Sequence, residues 1–230
     1  MSLFELFFVC LIIPYSRVGI SSNYAIIKEK DVLYLFFQDS KGINDWKTNF
    51  NFPAKPYKRM GKTIWFAHRG FLKEWQEIEP ELKQYVMNKE IKKIIITGYS
   101  HGAAVAVLCH EYVWFNRPDL RNVIEGYGFG CPRVFWGLKY KAVKCRWERF
   151  FVVRNINDLI THLPPAVFGF THVGNLIKIG EKCRYSQMEA HYSKNILKEL
   201  YNFEAKTIKD IEIVEKAIAS VLKCLKGEHK

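Results

Sequence analysis

The sequence offers nothing that looks built for a metal or another bound cofactor. It has no C-x-x-C pair and no His/Cys cluster at ligand spacing, so neither is expected. Six cysteines (Cys10, Cys109, Cys131, Cys145, Cys183 and Cys224) are scattered through a chain long enough to bury a core without staples, and are expected as reduced thiols. No internal repeat or low-complexity linker is present, which excludes solenoids and strings of modules and leaves one domain over residues 1–230. Acid is scarce: 23 Asp and Glu stand against 35 Lys and Arg, for a net charge of +12. Anionic partners such as nucleic acid, an acidic lipid surface or a charged substrate are thereby favoured. The apolar stretch in MSLFELFFVCLIIPYSR is too short to cross a bilayer as a helix. Its first residues carry Glu5 and no Lys or Arg, and no A-x-A-like cleavage site follows. It reads as a buried helix ending near Pro14, which makes a cytoplasmic protein the expectation, with secretion second.

What is present is organised around Lys92 to Tyr112, KKIIITGYSHGAAVAVLCHEY. Lys93 to Thr97 forms a short β-favouring run of the buried-strand type. Gly98-Tyr99-Ser100-His101-Gly102 follows, and then an Ala-rich segment of helical character. Strand, sharp turn and helix are the context in which G-x-S-x-G is a nucleophile elbow: the serine is pushed above the sheet edge, and the glycines remove Cβ atoms that would collide. Alone, the pentapeptide also fits a strand-to-helix turn with an incidental serine.

Along the chain, YAIIK and VLYLFF read as a hairpin, Gln38 to Trp46 and Pro53 to Lys62 as loops, and Thr63 to Ala67 as a strand. A helix to about Met87 follows, with Phe71, Leu72, Trp75, Ile78, Leu82 and Val86 on one face. Beyond the elbow, strands are expected at Val123 to Gly130, Phe150 to Arg154 and Val173 to Ile179. Arg133 to Arg149 is basic and aromatic without periodicity. Helices are expected at His191 to Phe203 and, as an added C-terminal element, over 206–226, with Thr207 and Asp210 placed for a capping box. Alternating helices and buried strands imply an α/β fold with a mostly parallel central sheet, flanked by helices on both faces.

A serine hydroxyl needs a base, and the base an orienting carboxylate. In the α/β-hydrolase order Ser, Asp, His, Asp158 just beyond a strand and His191 at a helix start fit. His162 lies too near Asp158 in sequence, His172 abuts a strand, and His229 is in a charged tail.

The pieces FFQDSKGINDW, FAHRGF, ITGYSHGAAVA, YGFGCPRV, RNINDLITHLPP, THVG and AHYSKNILKEL, in that order, resemble the class 3 (fungal-type) lipase family of α/β-hydrolases. The resemblance implies an α/β-hydrolase fold with Ser100 as nucleophile, Asp158 as acid and His191 as base. It also implies an oxyanion hole from the backbone N–H groups of Ser40 and His101, and a structural role for His68 and Gly70-Phe71. The activity implied is hydrolysis of lipid esters through an acyl-enzyme, as in triacylglycerol lipases and phospholipases. Acyl transfer to an acceptor other than water would use the same residues. Gln38-Asp39 stand where the family usually has Arg-Gly, GYSHG replaces G-H-S-L-G, and the lid position, Lys41 to Tyr57, is short and polar. Expected partners are an ester substrate and, transiently, an anionic membrane surface; no specific nucleic acid is expected. The alternative is a catalytically weak or inactive hydrolase-fold protein that binds anionic lipid or nucleic acid through residues 133–154, where seven Lys and Arg face Glu148 alone.

Overall fold

The computed structural model describes residues 1–18, 22–39, 54–182 and 184–205. Ser40, most of the lid-position segment, the helix expected over 206–226 and His229 lie outside the described residues. In chain order the elements are α1 (Leu3–Ile12), β1 (Ser16–Val18), β2 (Ser22–Glu29), β3 (Val32–Asp39), β4 (Ala54–Arg59), β5 (Lys62–His68) and α2 (Arg69–Val86). After these come β6 (Lys93–Tyr99), α3 (His101–Asn116), β7 (Glu125–Phe129), β8 (Phe135–Trp136) and α4 (Tyr140–Val143). The last are β9 (Phe150–Asn155), β10 (Phe170–Thr171), β11 (Asn175–Ile179) and α5 (Ser193–Ala205).

Seven strands form the central sheet in the order β1-β2-β3-β6-β7-β9-β11. The YAIIK/VLYLFF hairpin is present as β2 and β3, and β3, β6, β7, β9 and β11 run parallel. The apolar run of β6 is continuous because the strand is covered on both sides. Ile94 and Ile96 pack towards α2 and α3, whereas Ile95 faces Phe7 of α1 with Ile196 and Leu200 of α5. Each such side chain taken from water contributes about 1.5–3 kcal/mol. The six apolar residues expected on one face of α2 are all buried. Helix α1 starts with a capping box in which Ser2 Oγ accepts from the Glu5 N–H at 3.1 Å and the Glu5 carboxylate accepts from the Ser2 N–H at 2.6 Å.

The Pro- and Lys-rich stretch 53–62 departs from the loop expected there. Its residues 54–59 form β4, the edge of a second sheet ordered β10-β8-β5-β4. Tertiary packing overrides local propensity: Tyr57 stacks on its cross-strand neighbour Trp65 at 6.0 Å, and Trp65 meets Phe135 and Trp147, each at 5.5 Å. Among the described residues β4 pairs on one side only, so Pro56 can sit there without costing the ladder an N–H. Helix α3 is buried continuously from Gly102 to Val113, which explains why it is apolar all round. Its one buried carboxylate, Glu111, accepts from the Tyr57 hydroxyl and, at 2.7 Å, from Arg146.

Removing the cation of this pair strands a buried carboxylate. Arg146→Met is expected to lower the unfolding free energy by about 3 kcal/mol in urea titrations, with part of the loss restored by adding Glu111→Gln. A second prediction concerns pH. Burial holds His110 down at about 3 and His172 at about 4, against an ordinary 6.5. Below 6.5 the unfolded chain therefore binds more protons than the folded one, and stability falls as pH drops, down to the folded values. The thermal midpoint should decline between about pH 6.5 and 4, less steeply in His110→Leu; equal slopes in the two proteins would contradict this.

Candidate active site

The carboxyl ends of the parallel strands meet at one rim of the central sheet, where open α/β sheets carry their ligands. β6 ends in Tyr99 and turns directly into α3 through Ser100, whose backbone stands at φ 54° and ψ −119°. That conformation costs a residue with a side chain about 1–3 kcal/mol. It is held from both sides: the Ser100 N–H donates to the Phe129 carbonyl at 2.9 Å, and its carbonyl accepts from Ala103 at 3.1 Å. A Cβ on Gly98 would lie 2.3 Å from the Gly102 oxygen, and one on Gly102 would lie 2.2 Å from the Phe37 oxygen. The turn therefore closes only with glycine at both places.

Asp158 follows β9, and His191 ends a short 3₁₀ turn, Glu189–His191, between β11 and α5. The structure brings both to Ser100. His191 Nε2 is 2.8 Å from Ser100 Oγ, and Nδ1 is 2.8 Å from Asp158 Oδ2. Asp158 Oδ1 accepts from the Ile160 N–H at 2.9 Å, which fixes the carboxylate's rotation. The imidazole and the carboxylate are wholly buried, while Ser100 keeps 5% of its surface open; of the three residues only Ser100 is reached from outside.

Four further residues shape this line. Tyr99 donates its hydroxyl to the His191 carbonyl at 2.8 Å and stacks its ring on the imidazole at 5.4 Å. Burial, reinforced by the charge of Asp158, pushes its phenol well above the usual range, so it remains a donor. Asn155 Nδ2 donates to the Ala190 carbonyl at 3.0 Å, anchoring the turn that bears His191. Gly130, at φ +58°, lies so close that a Cβ there would be 2.6 Å from His191 Cε1 and 3.2 Å from Asp158 Oδ2. Glu74, buried on α2, reaches His101 Nε2 at 2.7 Å.

His101 is the first residue of α3, where backbone amides point out along the helix axis towards whatever stands in front of it. Its ring meets Phe71 edge-on at 4.8 Å, and Phe71 packs on His68 at 4.3 Å. Burial, with the neighbouring His101, lowers His68 to about 4, so it is neutral near pH 7. The competing histidines stand apart from the serine. His172 Nε2 is 2.6 Å from the Thr161 carbonyl, and exposed His162 contacts Arg154. Among the described residues no group of three or more His, Cys, Asp or Glu could hold a metal ion.

Sequence reading did not single out Gly130, Asn155 or Glu74, and noted Tyr99 only as a departure. One signal was available for Glu74: it falls three residues after Phe71 and four before Ile78, on the face of α2 that is otherwise apolar.

The profile of the family Lipase (class 3) matches residues 34–168. The chain is 30% identical over 147 residues to a lipase of Rhizomucor miehei, covering 62% of this chain and 40% of that protein. It is 28% identical over 161 residues to secreted mono- and diacylglycerol lipase 1 of Fusarium solani, covering 68% and 46%. The chain thus spans less than half the length of these relatives. Among solved structures, the triacylglyceride lipase of Rhizomucor miehei matches with a TM-score of 0.66 at 22% identity, over 80% of this chain and 82% of that one. A triacylglycerol lipase whose catalytic centre is a serine protease triad matches with a TM-score of 0.63 at 23% identity, over 78% of each chain. The shared architecture is the α/β-hydrolase fold. The cytoplasmic expectation is corrected by the relatives named as secreted, from Fusarium solani and Malassezia restricta, which point to secretion. Glu5, which had weighed towards the cytoplasm, caps a helix, and that local role carries no information about compartment.

The contact between Gly130 and the imidazole can be tested directly. Gly130→Ala should lower kcat on a soluble ester by about 100-fold through displacement of His191, while the folded state persists by circular dichroism. Unchanged kcat would show that the imidazole tolerates the methyl group.

Proposed function

This chain belongs to the class 3 lipase family, and from that premise we propose that it is a serine hydrolase acting on the carboxylic esters of lipids. The observation that carries the reading is the buried line from Ser100 through His191 to Asp158, with 2.8 Å at each step. Ser100 Oγ attacks the ester carbonyl as its proton passes to His191 Nε2. Asp158 accepts the Nδ1–H, keeps the imidazole in the tautomer with Nε2 open, and stabilises the imidazolium. The tetrahedral oxygen takes its hydrogen bonds from the amide of His101 and, on the family resemblance, that of Ser40. His191 then gives its proton to the departing alcohol. Water, deprotonated by the same nitrogen, releases the acid from the acyl-enzyme. In this reading residues 1–230 are one hydrolase domain, with 206–226 as an appended helix.

The alternative of a binder acting through residues 133–154 loses much of its surface to internal contacts. Trp147 is buried, Arg146 is paired with Glu111, Arg149 with Glu125, and Arg133 donates to the carbonyls of residues 162 and 164.

Purified protein should hydrolyse p-nitrophenyl esters and glyceride emulsions, with kcat falling by about 10⁴-fold or more in Ser100→Ala. A similar loss is expected in Asp158→Asn, which favours the wrong tautomer. Equal rates from parent and Ser100→Ala would sink the proposal.

A further inference from the structure

The small sheet turns one face to the interior and the other to solvent, and the outer face is not what a solvated surface should be. On β5, Trp65 and Ala67 point inward, while Phe66 between them is 38% exposed. Opposite it stands Trp136, 43% exposed, the two rings edge to face at 5.6 Å. The 3₁₀ turn Ala166–Phe168 presents Val167 and Phe168, 85% and 60% exposed. It lies beside the same indole: the next residue, Gly169, accepts from the Gly137 N–H at 3.0 Å, and a Cβ on it would meet Trp136 Nε1 at 3.0 Å. Phe66, Trp136, Val167 and Phe168 thus form one apolar patch, where single scattered apolar residues would be ordinary.

Two further observations give this patch a purpose. Ring contacts lead from it to the nucleophile's neighbour: Phe170, paired with Trp136, lies 6.3 Å from His68, and the path continues through Phe71 to His101. The chain that builds the sheet and its flanks is also one-signed. Residues 54–73 hold six Lys and Arg, 133–147 five (Arg133 and Arg146 of these turned to internal partners) and 159–180 one, with no Asp or Glu in any of the three. Lys55, Lys58, Lys62, Arg69 and Lys139 among them are exposed.

We propose that this face docks the protein onto an anionic lipid surface, presenting the Ser100 rim to the lipid. The aromatic and aliphatic side chains enter the boundary between headgroups and acyl chains, and the surrounding cations take up anionic headgroups. A single-stranded nucleic acid fits less well. Bases stack on open ring faces, whereas Phe66 and Trp136 are engaged with each other and Val167 offers a base nothing, which leaves Phe168 as a single platform. The choice of lipid rests on the ester-hydrolase reading, but the docking itself is read without catalysis.

The test uses the full chain carrying Ser100→Ala, so that no lipid is consumed, sedimented with vesicles of phosphatidylcholine alone or with about one-third phosphatidylserine. Stronger partition onto the anionic vesicles is expected, weakening as salt rises from about 0.1 to about 1 M and the Debye length falls from about 10 Å to about 3 Å. Val167→Ser with Phe168→Ser should weaken partition by about tenfold or more, with an unchanged thermal midpoint establishing that the variant is folded. Tyr85→Ser, which removes an exposed ring at the far end of α2, should leave partition unaltered. Partition independent of lipid charge, or equal in the loop variant and its parent, would overturn the proposal. So would salt-sensitive capture of a single-stranded oligonucleotide without vesicle binding. The two readings fail separately: a wild-type protein that cleaves soluble esters but ignores vesicles loses only this one, and one that binds vesicles but cleaves nothing loses only the other.

Discussion

The closeness with which α3 lies against β3 and β6 governs the geometry of the whole rim. Neither position 98 nor position 102 has room for a Cβ, because backbone oxygens occupy that space at 2.3 and 2.2 Å. The approach forces the turn between them and puts Ser100 at positive φ, at the head of α3. What keeps the strain in place is the burial of α3, which packs between the central sheet and α2, with Tyr57 of the small sheet tied to its Glu111. Strained residues persist where the surroundings over-determine them, and here the central sheet and α2 hold one helix.

Buried polar groups fall into two kinds. Arg117 is fully buried and donates to the carbonyls of Val86, Asn88 and Ile91 as well as to Asp119, and Glu111 is held by Tyr57 and Arg146. Such groups have their hydrogen bonds met by fixed partners and serve to tie elements together. His191 is equally buried, but one of its two nitrogens points at a hydroxyl that can give up its proton. In the proposed hydrolysis, a charge formed there would be met by groups already in place, with little reorganisation. On the proposed reading, the difference between a strut and a reaction centre therefore lies in one partner.

Much of this was legible because it is local. The elbow announced itself through two glycines and a buried strand, α2 through an apolar stripe, the first hairpin through two β-rich runs, and family membership through seven pieces in order. What sequence could not show depends on residues far apart in the chain. β4 carries proline and lysine and reads as loop, yet it pairs because Tyr57 finds Trp65 and, beyond it, Phe135 and Trp147. Gly130 looks like any glycine after a strand until His191, sixty-one positions later, is folded against it. Tyr99 stands in the motif as a departure; its contact with His191, ninety-two positions later, exists only in the folded chain.

The edge position of Pro56 bears on how copies of this protein meet. An exposed strand with a full row of amides is a template on which another chain can add itself, and then another. In β4 that row is interrupted by a residue with nothing to donate, beside lysines whose like charges repel an incoming copy. On the proposed docking, copies brought close together at one surface would otherwise be prone to pair there. Among the described residues, an edge interrupted in this way is a poor template for a second copy.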